Sequence, residues 1–279
     1  FMGNGLAIND PNSGYDETGF SAVENHCYDP DYKDKKTDQN ISNMYANREP
    51  RFYASVVYQG RSWFKKWMNG NPNYIVDFSA GGGNDLSNGD NVKTGYMLGK
   101  FKNRTVNHAS GDTQSWKRVS IIYRLAEFYL FYAEALNETD PSNPDIIKYI
   151  DMVRERAGIP GYQTMNDNGI KTGIIGNYDK QFDAIQHERY VELYCEGQRY
   201  FDIRRWMICG DKDRIGCDQT RFYGMNMKGS KDKAPGEPTS YYTRTKLENR
   251  QWTDKLYLYP IHQNVIELAN GRIPQNYGW

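Results

Sequence analysis

HERYVELYCEGQRYFDIRRW, residues 187–206, is the stretch whose reading decides the fold. Glu188, Glu192 and Glu196 recur at i, i+4, the spacing that lines one face of a helix. Arg189, Arg199, Arg204 and Arg205 share the stretch. Ile185, Tyr190, Leu193, Tyr194, Phe201 and Trp206 supply apolar positions, so one long helix is expected over about 180–208. Charges of both signs at this spacing, with Arg154 and Arg156 on the preceding segment, read as ion pairs joining helices. The competing reading is paired carboxylates for acid–base chemistry. That needs a cleft, and nothing in the sequence indicates one. A structural ion network of Arg154, Glu188, Arg189, Glu192, Glu196 and Arg199 is therefore expected.

Working outward, VSIIYRLAEFYLFYAEALNE (119–138) spaces Ile122, Tyr123, Ala126, Tyr129, Leu130, Ala133 and Leu136 as a helix does. Asp140-Pro141 ends it. Asn143-Pro144 opens a second helix running to about Ala157, with Pro144 in its first turn and Gly158 just past its end. The pair forms an αα-hairpin, compatible with one tetratricopeptide-like unit. A lone hairpin cannot cover its own apolar face, so its partners are expected to be helices outside this chain. A glycine-rich loop follows the hairpin.

The flanks are loop-rich. Residues 1–50 abound in Asn, Asp, Gly and Pro with interleaved aromatics and read as ordered loop. RFYASVVY (51–58) reads as a short strand, RSWFKKWM (61–68) as strand or helical turn, and 79–91 as flexible loop. Residues 210–255 are again loop-rich. KLYLYPI (255–261) is strand-like, and HQNVIELAN (262–270) is a short helix closed by Gly271.

Composition narrows the function. The 279 residues carry 35 Lys+Arg and 35 Asp+Glu, so the net charge is zero. A neutral chain has no long-range attraction for phosphate backbones or anionic lipid, which argues against nucleic acid. Mean hydropathy is −0.86, and no apolar run approaches a membrane span. Aromatics make up 14%, including 23 Tyr and 6 Trp, side chains with an apolar face and a polar handle.

Catalytic templates fail in turn. His187-Glu188 begins an HE pair, but Val191 breaks HExxH. GxSxG, the phosphate-binding GxxxxGK[ST] and GxGxxG after a strand do not occur. His26, His108, His187 and His262 are scattered, without spaced ligand partners. Cys27, Cys195, Cys209 and Cys217 form no CxxC. Cys209 and Cys217 bracket a polar loop and read either as free thiols or as a pair in an oxidising compartment. Asp29, Asp31, Asp34 and Asp38, and separately Asp10, Asn12, Asp16 and Glu17, are oxygen-rich turns. They leave a structural Ca2+ open without requiring it; no cofactor or metal is expected.

The 187–206 stretch resembles the ER-x-x-EL-x-x-EG-x-R-x-x-D-x-RRW block of the SusD/RagB family, nutrient-binding surface lipoproteins of Bacteroidetes. Other blocks agree in order. YANREPRFYASVVYQGRSW (45–63) is similar to the family's NRDPR-F segment, with Glu49 for the usual Asp. RLAEFYLFYAEALNE (124–138) with DMVRERAGIP (151–160) is similar to its RLAE and VR-x-RAG pair. LYPIHQNVIELANGRIPQNYGW (258–279) is similar to its closing segment, with His262 and Tyr277 where Pro is usual.

The resemblance implies a mainly α fold with extensive ordered loops and a few short strands. A tetratricopeptide-type hairpin packs on a loop-rich ligand-binding region. Residues 1–118 are expected to be the ligand-binding side and 119–279 the helical scaffold, together one domain that is the C-terminal half of a larger protein. The implied function is non-catalytic: capture of a glycan at the outer membrane and delivery to a SusC-like TonB-dependent transporter, with a lipid anchor on the N-terminal half. An oligopeptide-binding protein and a purely structural lid stay open beside it. Sugar capture needs aromatic faces against ring C–H groups and polar groups for hydroxyls, usually on loops. His26, Tyr28, Tyr32, Trp63 and Trp67 are the candidate ligand contacts; Trp63 and Trp67, four apart, also suit two core anchors.

Overall fold

A computed structural model describes residues 1–25, 36–63, 74–87, 89, 91–101, 121–211 and 222–279. Within these, the chain forms two compact units: Phe1–Glu192 with Gly224–Thr245, and Leu193–Tyr223 with Lys246–Trp279. The expected boundary at 118/119 lies outside the described residues. The fold is helix-rich with a few short strands, as expected. Among the described residues no helix is long and apolar enough to cross a membrane.

The first unit has two cores. One is helical: α2 (Leu125–Thr139) and α3 (Asp145–Arg156) form the hairpin, and α4 (Tyr162–Asp167) follows. Helix α5 (Tyr178–Glu192) packs on both arms of the hairpin. Leu130, Ala133, Ile146, Ile147, Ile150, Val153 and Ile185 meet there, with Leu6 and Met165 closing the cluster. Seven such buried aliphatic and alanine side chains supply most of the hydrophobic driving force in this half. Gly158 has φ +82° at the end of α3, the left-handed geometry expected of it. A Cβ there would sit 3.2 Å from Pro50.

The other core is built on loops and strands. Strands β1 (Phe20–Asn25) and β2 (Lys36–Ser42) pair antiparallel, with a register shift between Ser21 and Val23. Val23 and Ile41 point inward beside Tyr45, Tyr53, Tyr58, Phe78, Tyr241 and Tyr242. Helix α1 (Pro50–Ser55) leads directly into β3 (Val56–Val57), which pairs with β4 (Met97–Leu98). Strand β5 (Phe222–Met225) pairs with β6 (Arg244–Glu248).

Several local expectations are corrected. Residues 51–58 are mostly helix: Pro50 sits at the first helical position, where its fixed φ and missing N–H cost nothing. Residues 1–50 contain the β1–β2 pair, hidden by its irregular register. The glycine-rich loop holds α4. Helix α2 begins at Leu125, so Ile122 and Tyr123 stand before it, exposed. The hairpin is covered on one side by α5 of the same chain; on the other, Leu125, Phe128 and Tyr132 of α2 remain exposed. Residues 254–257 form a 3-10 turn where a strand was expected.

The long 180–208 helix is also corrected. Helix α5 stops at Glu192, and α6 (Gln198–Arg205) is separate. Between them Cys195 has φ +59° and Gly197 φ +87°, conformations that cannot continue a right-handed helix.

In the second unit, Arg204 lies over the rings of Tyr200, at 3.6 Å, and Trp252, at 5.5 Å. Helix α7 (Gln263–Leu268) is capped by His262, whose Nδ1 accepts from the Asn264 N–H at 3.2 Å. This gives His262 a helix-capping role.

Candidate functional site

The charged residues gather where α1, α3 and α5 meet. Arg154 of α3 donates to Glu188 Oε2 at 3.2 Å, and neither side chain is exposed. Arg51 of α1 reaches Glu188 Oε1 at 2.5 Å, Glu192 Oε2 at 2.8 Å and Glu49 at 2.6 Å. Glu192 Oε1 takes Arg156 at 2.6 Å and also Arg124. Three carboxylates thus face four guanidinium groups.

The electrostatics follow from this enclosure. Burial opposes the charged form of Glu192, but hydrogen bonds from Arg124 and Arg51 prevail and hold its carboxyl below the ordinary value. Burial likewise opposes the Arg51 cation, and Glu188 and Glu49 more than offset it, raising its pKa. Arg154 also donates to the carbonyls of Pro160 at 3.0 Å and Gly5 at 2.8 Å. Its guanidinium stacks 4.0 Å from the Tyr162 ring. No face of Glu188 is left for a substrate, so these carboxylates are bound into the scaffold.

Of the six residues expected in the network, Arg154, Glu188 and Glu192 come together. Arg189 is buried, with its guanidinium 4.2 Å from the Phe131 ring. Glu196 and Arg199 lie beyond the helix break, in the second unit. The sequence reading missed Arg51 as the hub, because its stretch looked like a strand. The adjacent Pro50 was the available signal.

Of the candidate ligand contacts, Trp63 belongs to the other core of the first unit. His26, Tyr28, Tyr32 and Trp67 lie outside the described residues. Trp63 is half-buried and packs against the loop-and-strand core. It ends a short ladder: Gly60 N–H donates to Val76 O, Val76 N–H to Arg61 O, and Trp63 N–H to Tyr74 O.

One buried carboxylate ties this ladder to β2. Asp38, paired with Val23 across the β1–β2 ladder, accepts from the Ser62 N–H at 3.2 Å and from the Ser62 hydroxyl. From Asp38 it is two residues to Lys36, where the described part of β2 begins. From Ser62 it is one residue to Trp63. The two described segments that flank four of the five candidates in the sequence are therefore tied to one another at a buried carboxylate.

Of the two oxygen-rich turns, Asp29, Asp31 and Asp34 lie outside the described residues, and the acidic residues of the other are engaged. Asp10 pairs with Lys171 at 2.6 Å, a hydrogen bond that lowers its pKa. Asp16 accepts from Thr18 and Asn43, and Glu17 from Tyr15 and Arg244. Among the described residues, no group of three or more His, Cys, Asp or Glu side chains is placed to hold a metal. Cys209 is buried, its thiol 3.3 Å from Ile203 O; Cys217 lies outside the described residues. A cavity of about 720 Å3, lined by Leu6, Asp10, Met165, Lys171, Asp183 and His187 among others, was not legible beforehand.

Compared with known families, the chain matches the SusD family model over residues 1–279. The chain belongs to the SusD family. A curated relative, SusD-like protein P2 of Formosa agariphila, is 37% identical over 82 residues, 29% of this chain and 16% of that protein. The crystal structure of a SusD-like protein from Bacteroides fragilis NCTC 9343 shares 29% identity with a TM-score of 0.65. That match covers 85% of this SusD-family chain and 40% of the other. A second solved structure, BT4246, shares 26% identity with a TM-score of 0.72 over 100% of this chain and 43% of its own. The chain thus spans less than half the length of the solved relatives it matches.

Proposed function

We propose that this SusD-family chain is part of a non-catalytic protein of the outer-membrane surface that binds a glycan and passes it to a SusC-like TonB-dependent transporter. The observation that carries the reading is the Asp38–Ser62 tie, which holds the Trp63 ladder and the β1–β2 pair as one frame. A frame whose neighbouring sequence carries Tyr28, Tyr32 and Trp67 beside Trp63 suits sugar rings, whose C–H faces pack on aromatic faces. The carboxylates best spaced for acid–base work are consumed by guanidinium partners, which favours binding over bond cleavage. The exposed Leu125, Phe128 and Tyr132 on α2 suit further helices of a longer protein, the N-terminal half that bears the lipid anchor in this reading.

Calorimetry or affinity electrophoresis of the full-length protein against polysaccharides and peptide digests tests the reading. Glycan binding without release of reducing ends is expected. Binding to peptides alone would replace glycan by oligopeptide, and binding to neither would leave a structural lid. Pull-down of the transporter from detergent-solubilised membranes tests the partnership.

A further inference from the structure

Glu192 collects contacts from four separate segments of the first unit. Its carboxylate holds Arg51 of α1, Arg124 before α2 and Arg156 at the end of α3. Its backbone carbonyl accepts from Lys100 Nζ at 2.9 Å and from Arg124 Nη2 at 2.7 Å. That carbonyl belongs to the last turn of α5, where carbonyls have no partner within the helix and the helix dipole favours cations. Lys100 follows β4, which pairs with β3, itself continuous with α1. Contacts from α1, from the segment after β4 and from the segment before α2 therefore converge on this one residue.

We propose that Glu192 is a positioning residue that fixes the loop-and-strand core on the helical scaffold, and so sets the frame for ligand binding without touching ligand. The ligand part rests on the function proposed above. The arrangement is specific to a carboxylate. Oε2 accepts from Arg51, and Oε1 from Arg124 and Arg156, so an amide must turn its NH2 towards a guanidinium whichever way it is set. Glu188 differs: it shares Arg51 with Glu192 and its other guanidinium partner is Arg154 of α3, whereas Lys100 and Arg124 donate to the Glu192 carbonyl.

Hydrogen exchange read by mass spectrometry on the full-length protein tests this. In E192Q, exchange of 51–57 and 121–128 is expected to rise about tenfold, the scale of one lost charge-assisted contact, while 178–190 stays within about twofold and 97–101, held by the retained backbone carbonyl, is unchanged. Glycan affinity should fall with it. K100M, which removes only the lysine on the carbonyl, should raise exchange at 97–101 and leave 121–128 unchanged; it covers the case in which E192Q fails to fold. Unchanged exchange at 121–128 in E192Q, or at 97–101 in K100M, would overturn the proposal, as would a uniform rise across α2, α3 and α5. Absence of glycan binding by the unaltered protein would remove the binding reading alone, since exchange reads the role of Glu192 without ligand.

Discussion

Arg154 and Glu188 face each other at 3.2 Å with both side chains wholly buried, and each is engaged by a second group: Glu188 by Arg51, Arg154 by two backbone carbonyls. Removing one member of such a pair strands a desolvated charge, a cost of about 3–5 kcal/mol. E188L is therefore expected to lower unfolding free energy by about that amount in guanidinium titrations. Arg154 would keep only neutral acceptors. K148A supplies the contrast. Lys148 pairs with Asp145 at 2.9 Å on the surface, where solvent screens the pair, so its loss should leave the midpoint nearly unchanged. Similar midpoints for the two variants would refute the burial argument.

Acid sensitivity follows from Glu192. Its folded pKa lies below the ordinary carboxyl value, so its ionised form stabilises the fold above the unfolded pKa. That contribution is lost as pH falls through the lowered folded pKa. E192Q should therefore be less stable than the unaltered protein at neutral pH, and the gap should close only in acid, below the ordinary carboxylate range. Thermal melts of both proteins across a pH series check it. A gap that stays constant down to the lowest pH would show that packing, not charge, explains the loss.

Helix α4 is capped from a distance. Asp151 of α3 accepts the N–H groups of Tyr162 at 2.6 Å and Gln163 at 2.9 Å, because Gly161 at the cap position has no side chain to do so. A Cβ on Gly161 would lie 2.5 Å from the Asp151 carboxyl carbon. G161A should cost about 1–3 kcal/mol through this clash, and D151A about 0.5–2 kcal/mol through the lost cap. The double variant should cost less than the sum, since removing the carboxyl relieves the clash. Strict additivity in a denaturation cycle would contradict the shared contact.

The helical core was legible because its signals are local. Ile146, Ile150 and Val153 recur at helical spacing, and Asp140, Gly158 and Gly271 mark ends. The break after Glu192 was obscured because Glu196 keeps the i, i+4 rhythm of Glu188 and Glu192 across it. Gly197, inside an expected helix interior, was the one warning. Arg51 was hidden for a different reason: beside nearby Glu49, its partners Glu188 and Glu192 are 137 and 141 residues away, and no periodicity reports such a distance. The Asp38–Ser62 tie and the cavity lined by Asp10, Met165 and Asp183 are likewise products of tertiary folding. Residue type alone drew attention to Trp63, and residue type cannot separate a ligand platform from a core anchor.

Trp63 permits that separation. Its ring is half-buried against the strand core, so W63A must cost stability whatever its role. M97A offers a matched control: Met97 is also a partly buried side chain packed on that core, in β4. If Trp63 is a ligand platform, W63A should lower glycan affinity about tenfold or more, the loss typical of a buried aromatic contact. M97A should then lose stability with affinity intact. The comparison is made by calorimetry at a temperature where melts show both variants folded. Undiminished affinity in folded W63A would make Trp63 a core anchor and leave ligand capture to other side chains.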